Sequence, residues 1–158
     1  MNYKIIKAQY HDLNQILELQ YLAYQSEAKL LNDDNIPPLK QTIEALQKEY
    51  ERGIILKGVT QEGFIIASVR GYMEDNTLYI GKLMVHPNYR GQGIGTKLLA
   101  EFEGIYPKAR YELFSSDKSL KNIELYQKNG YKICGEQQIS SDLRFIYLEK
   151  NTSFSERG

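Results

Sequence analysis

At 158 residues, with 42% apolar and 25% charged side chains and 20 basic against 20 acidic groups, the chain has the size of one compact domain and no net charge. That balance gives no general pull toward nucleic acid or an anionic membrane, and no apolar run reaches the roughly 18 residues of a membrane span. A single cysteine, Cys134, excludes an internal disulfide; with two histidines no metal site is expected, and the composition is that of a reduced, cytoplasmic protein.

Residues 2–7 alternate weakly and predict a strand; their charges and the lack of a small-residue cleavage site argue against a signal peptide. Asp12, with Gln15 three positions on, offers an N-cap for a helix that carries Leu13, Ile16, Leu17 and Leu19 and runs to about Leu31. Asn32-Asp33-Asp34-Asn35 and Pro37-Pro38 cannot continue it. A second helix, about 40–52, stops at Gly53, read as a left-handed cap. Ile54 to Thr60 and Phe64 to Met73 form a hairpin, and Asp75-Asn76 turns the chain into a strand from Thr77 to Val85. Ile94, Leu98, Leu99 and Phe102 then mark a helix closed by Pro107, and Arg110 to Phe114 is a short strand. Ser119 is an N-cap for a helix with Leu120, Ile123 and Tyr126, ended by Gly130. Tyr131 to Cys134 and Leu143 to Leu148 close the order β-α-α-β-β-β-α-β-α-β-β. This is an α/β fold on a mixed sheet, with helices on both faces because several strands are apolar throughout. One domain over 1–150 and a polar tail over 151–158 are expected, with most of the 13 tyrosines half-buried and Cys134 a small strand hydrophobe.

The chemistry is concentrated in Leu83-Met84-Val85-His86-Pro87-Asn88-Tyr89-Arg90-Gly91-Gln92-Gly93-Ile94-Gly95-Thr96. A strand runs into a loop with glycines at 91, 93 and 95, and the loop opens a helix. Side chains are absent where backbone N–H groups converge, and the helix dipole adds partial positive charge there. Arg90 brings a full charge. Such a turn binds phosphate or diphosphate. The order Gly95-Thr96-Lys97 is wrong for a Walker loop. A dinucleotide fingerprint wants glycine or alanine where Thr96 stands, although Glu112 lies where a ribose-binding acid would.

Arg90-Gly91-Gln92-Gly93-Ile94-Gly95 resembles the Arg/Gln-x-x-Gly-x-Gly/Ala signature of the GCN5-related N-acetyltransferase (GNAT) superfamily. Asn122-Ile123-Glu124-Leu125-Tyr126-Gln127-Lys128-Asn129-Gly130-Tyr131 is similar to that family's second block, and the element order agrees from about residue 3 to 150. The resemblance implies a splayed central strand pair, with acetyl-CoA as cosubstrate held by Leu83, Met84, Val85 and residues Arg90 to Thr96. It further implies that Asn122 bonds the pantetheine amides and that Tyr126, four residues on and on the same helix face, protonates the departing thiolate. A bulge would splay the strand ending at Val85, and a backbone N–H near Val85 would polarise the acetyl carbonyl. The fourth strand reads Tyr79-Ile80-Gly81-Lys82, without the acid that relatives often use as general base, which leaves Glu27, Glu112 and His86. The first helix and the loop Leu30 to Leu39 would cover the acceptor, with Tyr21 and Tyr24 in the pocket and Asp33 and Asp34 drawing a cationic amine.

The implied activity is N-acetylation of a primary amine on a small acceptor by direct attack in a ternary complex, with homodimerisation a possibility and no nucleic acid or membrane partner. A non-catalytic acyl-CoA sensing domain on the same fold is the alternative, and an NAD-binding domain a more distant one.

Overall fold

A computed structural model describes residues 2–152. Its strands are β1 (Tyr3–Lys7), β2 (Ile54–Thr60), β3 (Ile65–Glu74), β4 (Thr77–Val85), β5 (Arg110–Ser116), β6 (Lys132–Ser140) and β7 (Leu143–Lys150). Its helices are α1 (Leu13–Ala23), α2 (Gln25–Leu31), α3 (Pro37–Lys40), α4 (Ile43–Arg52), α5 (Ile94–Ile105) and α6 (Leu120–Lys128). The strands form one sheet in the order β1-β2-β3-β4-β5-β7-β6. Every neighbouring pair is antiparallel except β4 and β5, which run parallel. This is the mixed α/β sheet expected.

Apolar residues at helical spacing explain the layers. α5 lays Ile94, Leu98, Leu99 and Phe102 into one core, against Leu78 and Ile80 of β4 and Leu113 of β5. The opposite face packs Leu13, Ile16 and Leu19 of α1 and Leu46 of α4 against Ile55 and Met84. On that second face the β5–β7 region is bare: Phe114 is exposed and its ring lies 4.8 Å from Phe145 and 5.5 Å from Tyr147. β6, an edge strand, is exposed along its whole length and carries Cys134 into solvent, so that residue is not the small strand hydrophobe expected. What contact the thiol keeps with the protein, then Glu149 and Glu112, push Cys134 up rather than activating it.

Four local expectations are corrected. The first helix is two helices, broken at Tyr24 (φ −86°, ψ 2°), and α2 ends on Asn32 in a left-handed conformation at φ 52°. Asp12 does not cap α1; it sits in a 3₁₀ turn, accepts the Gln9 N–H at 2.8 Å and pairs with Lys57 at 2.8 Å. Gly53 does end α4, but at φ −137° it is not left-handed. Glycine is needed there because an added Cβ would stand 2.0 Å from the Gly71 carbonyl oxygen. Ser119 precedes α6 without a side-chain cap, because its hydroxyl goes elsewhere. The polar tail expected over 151–158 lies largely outside the described residues. Among those described, no helix is long and apolar enough to cross a membrane.

Candidate functional site

The site begins with a break in the sheet. β4 pairs with β5 only at Thr77–Arg110, Leu78–Tyr111 and Tyr79–Glu112, after which the two strands part. On its other edge β4 stays paired with β3, but its register slips: Val69 faces Leu83, while Gly71 faces Ile80. Three steps on β4 therefore match two on β3, a bulge at Gly81–Lys82 opposite Arg70. The bulge bends β4 as it leaves β5, and two cavities form around the divergence.

The larger is a cleft of about 660 Å³. Its lining runs from α1 and α2 (Ala23, Tyr24, Ser26, Glu27, Leu30) through Leu83, Met84 and Val85 and the loop Tyr89–Thr96 to Lys118, Ser119, Lys121, Asn122 and Leu125. The glycine turn is built to face it. Gly91 (φ 76°) and Gly93 (φ 81°) are left-handed, and a Cβ at either would meet nothing within 4 Å. The first helical bond of α5 is Lys97 N–H to Gly93 carbonyl at 3.2 Å, so the N–H groups of Ile94, Gly95 and Thr96 have no intrahelical partner. At Gly95 an added Cβ would stand 3.4 Å from Leu125 and 3.8 Å from Leu83, ordinary van der Waals contact that does not by itself demand glycine. Gln92 alone of residues 90–96 stays outside the lining.

β4 supplies backbone as well. The His86 N–H donates to the Ile66 carbonyl at 2.8 Å, on the β3 side. Antiparallel alternation then turns the N–H and C=O of Val85 and Leu83 toward the cleft, where the Val85 carbonyl accepts from Arg90 Nε at 3.4 Å. Arg90 also donates to the Ala23 carbonyl at 2.8 Å and the Ser26 hydroxyl at 3.1 Å. Its guanidinium thus ties the α1–α2 junction to the turn and keeps two of its five N–H groups for a ligand.

On the far wall, α6 presents Asn122 and Leu125 to the cleft. Tyr126 is 7% exposed, its ring 6.1 Å from Tyr131. Burial chiefly, and the neighbouring Tyr24 and Glu27, hold its phenol well above the ordinary value. Tyr24 is pushed up to about 12 by burial first, with Arg70 opposing and Glu27 adding. Glu27 accepts a hydrogen bond from the Ser119 hydroxyl at 2.6 Å, which joins α2 to the start of α6 across the cleft.

The smaller cavity, about 240 Å³, lies at the divergence on the α4 side, lined by Glu49, Arg52, residues 70–72, 79–81 and 112–114, and Tyr147. Arg70 there is 3% exposed and donates through Nε to Glu49 at 2.9 Å and through Nη2 to Gln20 at 2.8 Å and Gln41 at 2.7 Å. No sequence motif marks this network. Of the other expected acids and bases, Glu112 lines this smaller cavity and none but Glu27 lines the larger cleft. His86 Nδ1 accepts the Asn88 N–H at 3.0 Å, and Glu112 pairs with Arg110 at 2.9 Å. Asp33 closes a turn by accepting the Asn35 N–H at 2.8 Å; Asp33, Asp34 and Tyr21 line neither cavity.

Comparison with known proteins agrees with this geometry. The sequence matches the Acetyltransferase (GNAT) domain family over residues 49–133. It is 26% identical over 119 residues to the UPF0157 protein YqkA of Bacillus subtilis (strain 168), covering 75% of this chain but only 34% of that protein. The fold is similar to the PaiA N-acetyltransferase of Thermoplasma acidophilum in complex with coenzyme A, with a TM-score of 0.82 at 20% identity over 96% of this chain and 99% of that one. It is also similar to the ribosomal-protein-S18-alanine N-acetyltransferase of Escherichia coli, with a TM-score of 0.79 at 18% identity over 96% and 95% of the two chains. With more than half its length inside the domain match, and with the turn, the bulge and the parted strands in one site, the chain belongs to the GNAT acetyltransferase family.

Proposed function

We propose that the protein is an acetyl-CoA-dependent N-acetyltransferase that moves the acetyl group to a primary amine of a small acceptor, by direct attack with both partners bound. The observation that carries this reading is the open glycine turn, with its free N–H groups and Arg90, at one end of a cleft that follows β4 from the parted strands. Residues Gly91 to Thr96 would take the diphosphate through backbone N–H groups and the α5 dipole, with Arg90, Lys118 and Lys121 adding charge. Leu83 and Val85 offer backbone groups to pantetheine in the manner of an added strand, and Asn122 offers an amide across from them. The Val85 N–H is the donor placed for a carbonyl oxygen.

When bound, acetyl-CoA supplies an activated thioester: its C–S bond breaks as the N–C bond forms, and coenzyme A leaves as a thiol. Tyr126 holds its proton at neutral pH and serves as the acid for that sulfur. Glu27 keeps one carboxylate oxygen free of Ser119 and is the candidate to receive the ammonium proton. No protein group takes the hydroxyl of Tyr24 or Tyr126 among the described residues, which favours chemistry over mere cofactor sensing.

A panel of primary amines, assayed for free thiol released from acetyl-CoA, tests the proposal. At least one amine should be consumed stoichiometrically with thiol release. A protein whose melting temperature rises with acetyl-CoA but which turns over no amine would be a sensing domain instead.

A further inference from the structure

Ser119 opens α6 but does not cap it with its side chain. The first bonds of the helix run from the Asn122 and Ile123 N–H groups to the Ser119 carbonyl, both at 3.1 Å. A serine in this place ordinarily turns its hydroxyl to the helix N–H groups. Here the hydroxyl, on a residue only 6% exposed, reaches instead to the Glu27 carboxylate, 92 positions away in the chain. Both residues line the cofactor cleft.

Little else holds the carboxylate. α2 is seven residues long, and Ala28 is its one buried residue. Glu27 has no second hydrogen bond and no ion pair among the described residues, although Lys118 and Lys121 line the same cleft. A glutamate side chain rotates around several bonds, so without Ser119 the carboxylate would be spread over many rotamers. The hydroxyl fixes Oε1 and leaves the second oxygen open. It does so without a charge of its own; a lysine in its place would favour the ionised carboxylate and weaken it as a proton acceptor. Burial dominates in raising the phenols of Tyr24 and Tyr126, and the Glu27 charge adds to both, which puts the carboxylate near the two rings.

The geometry points to Ser119 as the positioning residue for proton removal from the acceptor: its hydroxyl fixes one oxygen of Glu27 and leaves the other for the incoming ammonium. The inference rests on the acetyl-transfer reading above and on Glu27 as the group that receives the proton. In that step the ammonium gives a proton to Glu27, and the freed nitrogen pair forms the N–C bond. The C–S pair leaves with sulfur, which takes the Tyr126 proton. Ser119 itself neither gives nor takes a proton.

Two kinds of nucleophile separate positioning from support of the fold. Alkylamines arrive as ammonium ions at neutral pH and need a proton acceptor, whereas hydroxylamine arrives neutral and does not. Thiol release from acetyl-CoA is followed with hydroxylamine and with the fastest amine of the panel above, benzylamine, ethanolamine and putrescine included. Ser119→Ala should lower kcat for the amine about tenfold and leave its KM, and the hydroxylamine rate, within about twofold. Ser119→Thr keeps the donor and should restore kcat. In a Glu27→Gln background Ser119→Ala should cost nothing further, since the two changes remove one function. Equal slowing of amine and hydroxylamine, additive losses in the double variant, or a loss confined to acetyl-CoA affinity would overturn the positioning role and leave the transferase reading standing. Release with hydroxylamine but with no amine would overturn it too, since no proton acceptor is then at work. Release with neither nucleophile would bring down the transferase reading and this inference together.

Discussion

Tyr126 and Tyr24 are neighbouring phenols in different environments. Tyr126 is buried and Tyr24 half-buried, both beside Glu27, but Arg70 lies near Tyr24 and favours its ionised form, an influence that Tyr126 lacks. Tyr126, buried on α6 just behind the cleft's lining, is the residue proposed above to give a proton to sulfur. Tyr126→Phe keeps the ring packing against Tyr131 and removes only the hydroxyl, so kcat should fall about 10²-fold, the low end for a general acid because a thiol already leaves well. Acetyl-CoA affinity, measured by calorimetry, should stay within twofold; equal losses in both would remove the acid role. Arg90 combines two roles differently, since its bonds to Ala23 and Ser26 serve the fold while its spare N–H groups face the cleft. Arg90→Ala should weaken acetyl-CoA about tenfold and also lower the melting temperature of the free protein. A weaker cofactor with no change in the free protein would make the α1–α2 tie dispensable, and an unchanged affinity would refute the phosphate role.

At the level of elements, the glycine turn and the bulge set the site through backbone geometry. Gly93 precedes α5 at φ 81° with open space where a side chain would go. Gly93→Ala should therefore cost about 1–2 kcal/mol of stability from the left-handed conformation, read by chemical denaturation. The new methyl would also project into the approach to the α5 N–H groups and raise the acetyl-CoA Kd severalfold. The turn was legible in the sequence because its three glycines, its arginine and the apolar residues at 94, 98, 99 and 102 are local signals. The order of elements in both chain halves was legible as well, from apolar spacing together with the prolines, glycines and turn residues that bound it. The bulge could only be inferred by resemblance, since nothing in Tyr79-Ile80-Gly81-Lys82 announces that Val69 and Gly71 lie across three steps of β4. The break at Tyr24 was hidden for a related reason. The apolar spacing of α1 continues past it, while the tertiary contacts of Tyr24 and Glu27 decide where the helix turns. Arg70 with Gln20, Gln41 and Glu49 was illegible altogether: four residues from four segments, joined only by folding.

Across the whole molecule, the parted strands make one sheet serve two faces. The cofactor cleft carries β4 residues 83–85 and the smaller cavity β4 residues 79–81, so the bulged strand contributes to both. Most of the contacts expected for the cofactor belong to its diphosphate and pantetheine, not to its acetyl group. Acetyl-CoA and coenzyme A should for that reason stabilise the protein alike. At a hundred times its dissociation constant, one bound ligand adds about 2.7 kcal/mol. For a domain of this length that is a rise of roughly 5–11 °C, taking about 2–4 °C per kcal/mol. NAD also carries a diphosphate, yet it has no pantetheine to pair with Leu83 and Val85, and it should give no comparable rise. Because Arg90 and Lys121 are exposed, the shift measured at fixed ligand should shrink as salt rises past the roughly 10 Å screening length of 0.1 M. A rise with NAD equal to that with coenzyme A would reduce the site to a diphosphate cradle. The strand-like pairing along β4, and with it the delivery of the thioester to the parted strands, would then have no support.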